Sequence, residues 1–222
     1  MHDDLPKSVR FIIRKLDFLS IPNLGTFIAA LAVMAFIAKM AWGTPYERFV
    51  FDPQRLLAGE WWRLFSFPLS SGFEHPIWLL FYVMYVYFVM NALEAHWGSG
   101  PLTVFVGFGY LCAMGGSFIT GQPTSLWFFI LENVSLAFGT LFPEVEFLLF
   151  FILPVKAKWL ALFAGGVLFF QFAVGSLLNK AFYMVVLLPY FTFFSQSLYR
   201  IVKFRIRGAK HRRDIDHEMW RR

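Results

Sequence analysis

The chain has 222 residues, of which 58% are hydrophobic and only 15% charged, and 30 of them are Phe. A water-soluble domain of this length carries about 25% charged residues, so one aqueous core holding this much apolar surface is excluded and the class is integral membrane. The formal net charge is +6, and its basic residues gather in flanks that bear on topology rather than on fold.

In chain order, MHDDLPKSVR holds no apolar run and no small-residue cleavage pattern. A cleaved signal peptide is not expected, and the first span should act as the insertion signal. KSVRFIIRKLDFL (7–19) puts Val9, Ile12, Ile13, Leu16 and Leu19 on one helical face and Lys7, Arg10, Arg14 and Lys15 largely on the other. That pattern is a basic amphipathic helix lying at the membrane surface, which doubles as the lead-in to the first span. Apolar spans are expected at 23–43, 76–95, 101–121, 124–142, 157–175 and 181–199. Each is close to the roughly 20 residues that a bilayer core requires. Pro189 should kink the sixth.

The connections are informative. The stretch 44–75 is long and nearly neutral, setting Arg48, Arg55 and Arg63 against Glu47, Asp52, Glu60 and Glu74. FPEVEFLLFFILPVKAK (142–158) is half apolar but holds two prolines, two glutamates and two lysines, and reads as a partly membrane-embedded loop. Basic residues cluster before the first span and again in 200–213, so both termini should be cytoplasmic, which an even number of spans satisfies. Small residues recur every fourth position at Gly109, Ala113, Ser117 and Gly121, and at Ala157, Ala161 and Gly165, spacing that lets helix backbones approach in lipid. The expected organisation is a cytoplasmic amphipathic helix (1–20), an all-α six-span membrane domain (21–200) and a basic cytoplasmic tail (201–222).

GEWWRLFSFPL (59–69) is the densest polar-aromatic cluster of the chain. Tryptophan favours the headgroup region, and an arginine with five donors can brace several loop carbonyls, so Arg63 is the expected brace of a loop lying in the outer leaflet. Gly59, Glu60, Trp61, Trp62 and Arg63 resemble the Trp-Arg loop of the rhomboid superfamily. LEAHWGS (93–99), with Leu93, Glu94 and Gly98, resembles that family's Leu-Glu to Gly-Ser turn after the second span, and 142–160 is similar to a loop of many bacterial rhomboid-like proteins. The resemblance implies a six-transmembrane rhomboid-like bundle in a bacterial inner membrane.

Rhomboids are intramembrane serine proteases, and the resemblance implies where their parts would fall. No G-x-S-G occurs; the nucleophile region falls near TSLWFF (124–129). Trp78 and Tyr82 stand at the positions of the family's second-span oxyanion His and Asn, a degenerate pair. Serine attack needs a base within hydrogen-bond reach, yet His2, His75, His96, His211 and His217 all lie outside the span interiors. The implied function is a catalytically inactive protein that binds or escorts membrane-protein clients. Two alternatives stand beside it. One is an active serine endopeptidase with a non-standard site, for which Ser176 and Lys180 are the weak candidates, Lys180 being otherwise a snorkelling interfacial lysine. The other is a small transporter with Glu132 in its pathway. Glu132, beside Asn133, is the acidic residue inside a predicted span; it is either a partner-binding or proton-handling group, or the acceptor of a buried structural hydrogen bond from Ser135, Asn133, a tyrosine or backbone. Nothing in the chain calls for a metal, nucleotide or redox cofactor, Cys112 being the one cysteine. The basic tail fits a lipid surface, and no motif accompanies it that would make it a nucleic-acid binder. The expected partners are the lipid bilayer and a membrane-protein client.

Overall fold

The computed structural model describes residues 6–42, 48–66, 73, 75–149 and 153–195. The basic tail, residues 196–199 of the sixth predicted span, residues 67–69 of the Trp-Arg element, and His2, His211 and His217 lie outside the described residues. So do the side chains of Lys7, Arg10 and Arg14.

Helix α1 (Lys7–Leu16) continues into a 3-10 turn, Asp17–Leu19. Val9 and Ile13 are buried in the bundle core, whereas Phe11, Ile12, Phe18 and Leu19 stay exposed. The predicted apolar face is therefore split: Val9 and Ile13 fix the helix to the bundle, while Ile12 and Leu19 stay exposed.

Among the described residues, four helices are long and apolar enough to cross a membrane: α2 (Leu24–Trp42), α4 (Pro76–Trp97), α5 (Ser99–Thr120) and α7 (Ala157–Val174). Pro76 opens α4 at a position where its missing N–H costs nothing. Helices α8 (Leu177–Val186) and α9 (Leu188–Ser195) meet at a bend of 42° and count as a fifth candidate span if taken together. This is an all-α, multi-pass membrane architecture. The sixth predicted span starts at Leu177 rather than 181, and the kink expected from Pro189 takes the form of a break between α8 and α9. The break at Leu187 comes two residues before Pro189, whose ring removes a donor and crowds the carbonyl one turn back.

Helix α6 (Leu126–Leu141) corrects the fourth predicted span. Its 16 residues reach only about 24 Å at 1.5 Å per residue, short of the hydrocarbon thickness of about 30 Å. Thr124 is withdrawn from the helix because its backbone pairs with Phe51. The stretch 142–158, read as a partly membrane-embedded loop, contains two antiparallel strands, β1 (Glu146–Leu149) and β2 (Leu153–Lys156), in the register Glu146 to Lys156 and Leu149 to Leu153. Lys156 and Lys158 both donate to the Glu144 carboxylate, at 2.6 and 2.7 Å, and the Ala157 N–H donates to the Val145 carbonyl at 2.7 Å.

Small residues set the helix spacings. A Cβ on Gly139 of α6 would stand 2.2 Å from the Ala161 Cβ of α7, and one on Gly25 of α2 would stand 2.6 Å from the Met90 Cβ of α4. The stripe Ala157, Ala161 and Gly165 is thus the seam on which α6 lies. The core joins Val86, Met90 and Leu93 of α4 to Leu102 and Phe105 of α5, Val134 of α6 and Phe193 of α9. Trp97 links these elements by aromatic contact, its ring 5.5 Å from Phe105 and 5.8 Å from both Phe193 and Phe194.

Candidate functional site

The Trp-Arg loop inverts the usual burial of its residues. Arg63 is 1% exposed while Trp61 and Trp62 are 68% and 56% exposed. Charge inside and indole outside is sensible only where the surroundings are partly apolar, as at a membrane surface. The guanidinium donates from Nε to Glu60 Oε2 at 2.6 Å and from Nη1 to the Val50 carbonyl at 2.6 Å. Arg63 is the expected brace, although Glu60 supplies the counter-charge that makes its burial tolerable. Gly59 sits at φ 105°, a conformation other residues rarely adopt, and it turns the chain from α3 (Pro53–Leu57) into the 3-10 turn Trp61–Leu64. Asp52 caps α3 by accepting the N–H groups of Gln54 and Arg55. The loop is then tied to the bundle. Tyr110 of α5 donates to the Leu64 carbonyl, Ser66 donates to the Phe49 carbonyl at 3.2 Å, and Phe51 exchanges two backbone hydrogen bonds with Thr124.

The second predicted motif lies at the other end of α4. Leu93 is fully buried in the core. Glu94 Oε1 accepts the Asn23 N–H at 2.8 Å, joining the end of α4 to the start of α2. Gly98, at φ 91°, makes the turn into α5. Ser20 donates to Ser99 Oγ at 2.7 Å, and the Ile21 N–H donates to Thr103 Oγ1 at 3.1 Å, so this turn is a structural joint for the α1–α2 connection. The proposed oxyanion positions diverge in their surroundings. Trp78 is 53% exposed and lies beside Phe81, while Tyr82 is half-buried with its ring 4.8 Å from Phe73.

The seam between α6 and α8 is where the resemblance would put a dyad, and aromatic rings fill it. The Phe129 ring packs 4.8 Å from Phe182, and Phe182 in turn occupies the space beside Gly116 of α5. Asn133 crosses the seam, its Nδ2 donating at 2.9 Å to the Phe129 carbonyl and at 2.9 Å to the Val186 carbonyl, where α8 ends. Ser176 and Lys180 form no pair of side chains. Ser176 caps α8, its Oγ accepting the Asn179 N–H at 3.3 Å, and the Lys180 N–H bonds the Ser176 carbonyl as an ordinary helical link. Other hydroxyls are engaged with backbone: Ser117 donates to Gln122, and Ser195 to Thr192. The His96 ring lies against Phe142, and His75 sits just before α4. Among the described residues no group of His, Cys, Asp and Glu is arranged to hold a metal.

Glu132 departs from the expected buried hydrogen bond. Ser135, one candidate partner, instead donates to the Leu131 carbonyl and receives the Tyr85 hydroxyl at 2.6 Å. Glu132 is 7% exposed, and among the described residues its Oε2 has no hydrogen-bond partner. Its direction follows from its neighbours on α6. Phe129, one turn before it, packs on Phe182 and Tyr183 of α8, while Leu136, one turn after, meets Gly165 of α7. Glu132 lies on the α7 side of α6, between Leu136 and Gly139 around the helix, which meet Gly165 and Ala161. Tyr183 of α8 ties to α7 by donating to Gln171 Oε1.

Below this point opens a feature the sequence did not announce. A groove of about 450 Å³ runs between α6, α7 and the bent α8–α9 pair, lined by Leu136, Gly165, Leu168, Phe172, Tyr183 and Leu187 among others. The groove is partly open to its surroundings. Its sole sequence hint was Gly165, which leaves room opposite Leu136. No protein-family model, curated protein or solved structure matches the chain.

Proposed function

We propose that the chain is a rhomboid-like membrane protein that binds or escorts membrane-protein clients without cleaving them. The observation that carries this reading is the partly open apolar groove between α6, α7 and the α8–α9 pair, among helices long and apolar enough to cross a membrane. A site of this size, lined by Leu and Phe with few polar groups, lies in the range of natural binding pockets. The lack of cleavage is supported by the packing of Phe129 on Phe182, which occupies the seam a dyad would need, and by Ser176 serving as a helix cap. The orientation follows from the basic flanks: both termini in the cytoplasm, the Trp-Arg loop in the outer leaflet, and six crossings with α6 as the short fourth, in a bacterial inner membrane. The lipid bilayer is the second partner, met by the exposed face of α1 and the basic tail.

The test is site-specific photo-crosslinking in native membranes. A crosslinker at Met184, exposed in the groove, is expected to trap discrete membrane proteins, while one at Met34, exposed on α2, is not. A fluorophosphonate probe is expected to modify no serine. Equal trapping at both positions, or a single labelled serine whose Ala variant escapes labelling, contradicts the reading.

A further inference from the structure

We propose that the α6–α7–α8 groove selects clients whose membrane helix carries a hydrogen-bond donor, Ser, Thr, Asn or Gln, on its lipid-facing side, and that Glu132 accepts that hydrogen bond. This rests on the client-binding reading above and adds the chemistry of selection. Three observations converge on it. The groove is lined by apolar side chains, so it accepts the apolar flank of a helix. Glu132 is buried, its Oε2 lacks a partner among the described residues, and it lies one turn along α6 from Leu136, which lines the groove. A polar group left without a partner in hydrocarbon is costly, and a donor arriving through the groove removes that cost.

The third observation is the position of Glu132 along α6, which, with α6 crossing as proposed above, favours a protein over a lipid. Glu132 is the seventh residue of α6, which starts at Leu126, placing it about 9 Å along the helix axis from that end at 1.5 Å per residue. Lipids keep their polar groups at the interface and bring only chains to that level. A transmembrane helix presents a donor at any depth its sequence chooses. The hydrogen bond from Tyr183 to Gln171 joins α7 to α8 at this level, so the approach to Glu132 is along the groove, and not from the α7–α8 turn.

The experiment uses the full chain in phosphatidylcholine vesicles, with association read by energy transfer to labelled peptides. One peptide is an all-leucine membrane helix of about 20 residues; the other carries a single Asn about 9 Å inside the outer boundary. The Asn peptide is expected to bind about tenfold more tightly, in keeping with the strength of hydrogen bonds between membrane helices. Glu132→Leu should remove the difference. Met184→Trp, a substitution of an exposed side chain that leaves the core untouched, should weaken binding of both peptides by filling the groove. Equal affinity of the two peptides for the wild-type chain overturns the selection by Glu132 while leaving client binding in place. Failure of both peptides to associate overturns the client-binding reading itself. Unchanged binding by Met184→Trp, or a lipid in native mass spectra that is lost with Glu132→Leu, takes the groove away from client helices.

Discussion

At the residue scale, Arg63 concentrates the energetics of the Trp-Arg loop. Its guanidinium is almost wholly buried, ion-paired to Glu60 and donating to the Val50 carbonyl. Removing one partner of a buried ion pair leaves the other uncompensated and costs about 3 kcal/mol or more. Arg63→Ala is therefore expected to lower the free energy of unfolding in detergent by about that amount, and Arg63→Lys to recover only part, because an ammonium cannot fork between a carboxylate and a carbonyl. Denaturation of the three proteins in parallel checks the order. Glu144 gives a pH signature outside the spans. Hydrogen bonds from Lys156 and then Lys158 push its carboxyl down from 4.5 to about 2. A depressed carboxyl stabilises the folded form fully above the unfolded value and loses that contribution as pH falls through the folded one. The hairpin anchor should thus hold at pH 5 and loosen between about 4.5 and 2. Lower protection of the Ala157 amide, whose N–H donates to Val145, relative to its intrinsic exchange rate at each pH reads the loss, and Glu144→Gln should show that lowered protection at pH 5 already. The Arg63 brace was legible in the sequence because its indole neighbours and loop context restrict what an arginine can do there. Its partner Glu60 was not, since three residues' separation does not say which way a side chain turns.

At the element scale, close helix approach is the organising feature. A Cβ at Gly139 collides with Ala161, whereas one at Gly107 or Gly166 meets nothing within 4 Å. Gly139→Val is expected to cost about 2 kcal/mol by overpacking the α6–α7 seam, and Gly107→Ala and Gly166→Ala to cost nothing; unfolding measurements on the three separate packing from composition. The stripe Ala157, Ala161 and Gly165 was readable as a packing seam because four-residue spacing is a local property of one helix. Other elements were hidden for physical reasons. The fourth span was read as starting at 124, but Thr124 pairs with Phe51, 73 positions earlier, and a long-range backbone exchange leaves no local trace. The hairpin over 146–156 was masked by its apolar run, which suits a buried loop and a strand pair equally until the Lys156 and Lys158 bonds to Glu144 fix it. The start of α8 was missed because Ser176 was weighed as a nucleophile, although serine before an apolar run is first of all a helix cap.

At the scale of the whole molecule, the number of crossings and the use of the groove belong together. With α6 reaching about 24 Å, it crosses only where the bilayer thins or neighbouring helices shield its ends. Reporter fusions at both termini should report the same, cytoplasmic, side if α6 crosses. The groove itself could not be read from sequence, because it is a space between three helices and belongs to none of them; what the sequence did disclose was Glu132, whose Oε2 has no partner among the described residues. The most direct measurement is the intact mass of the membrane protein trapped by a photo-crosslinker at Met184. Full-length client is expected, held and uncut. A fragment ending within its own membrane segment would contradict the account, as it would mean that this bundle cleaves what it binds.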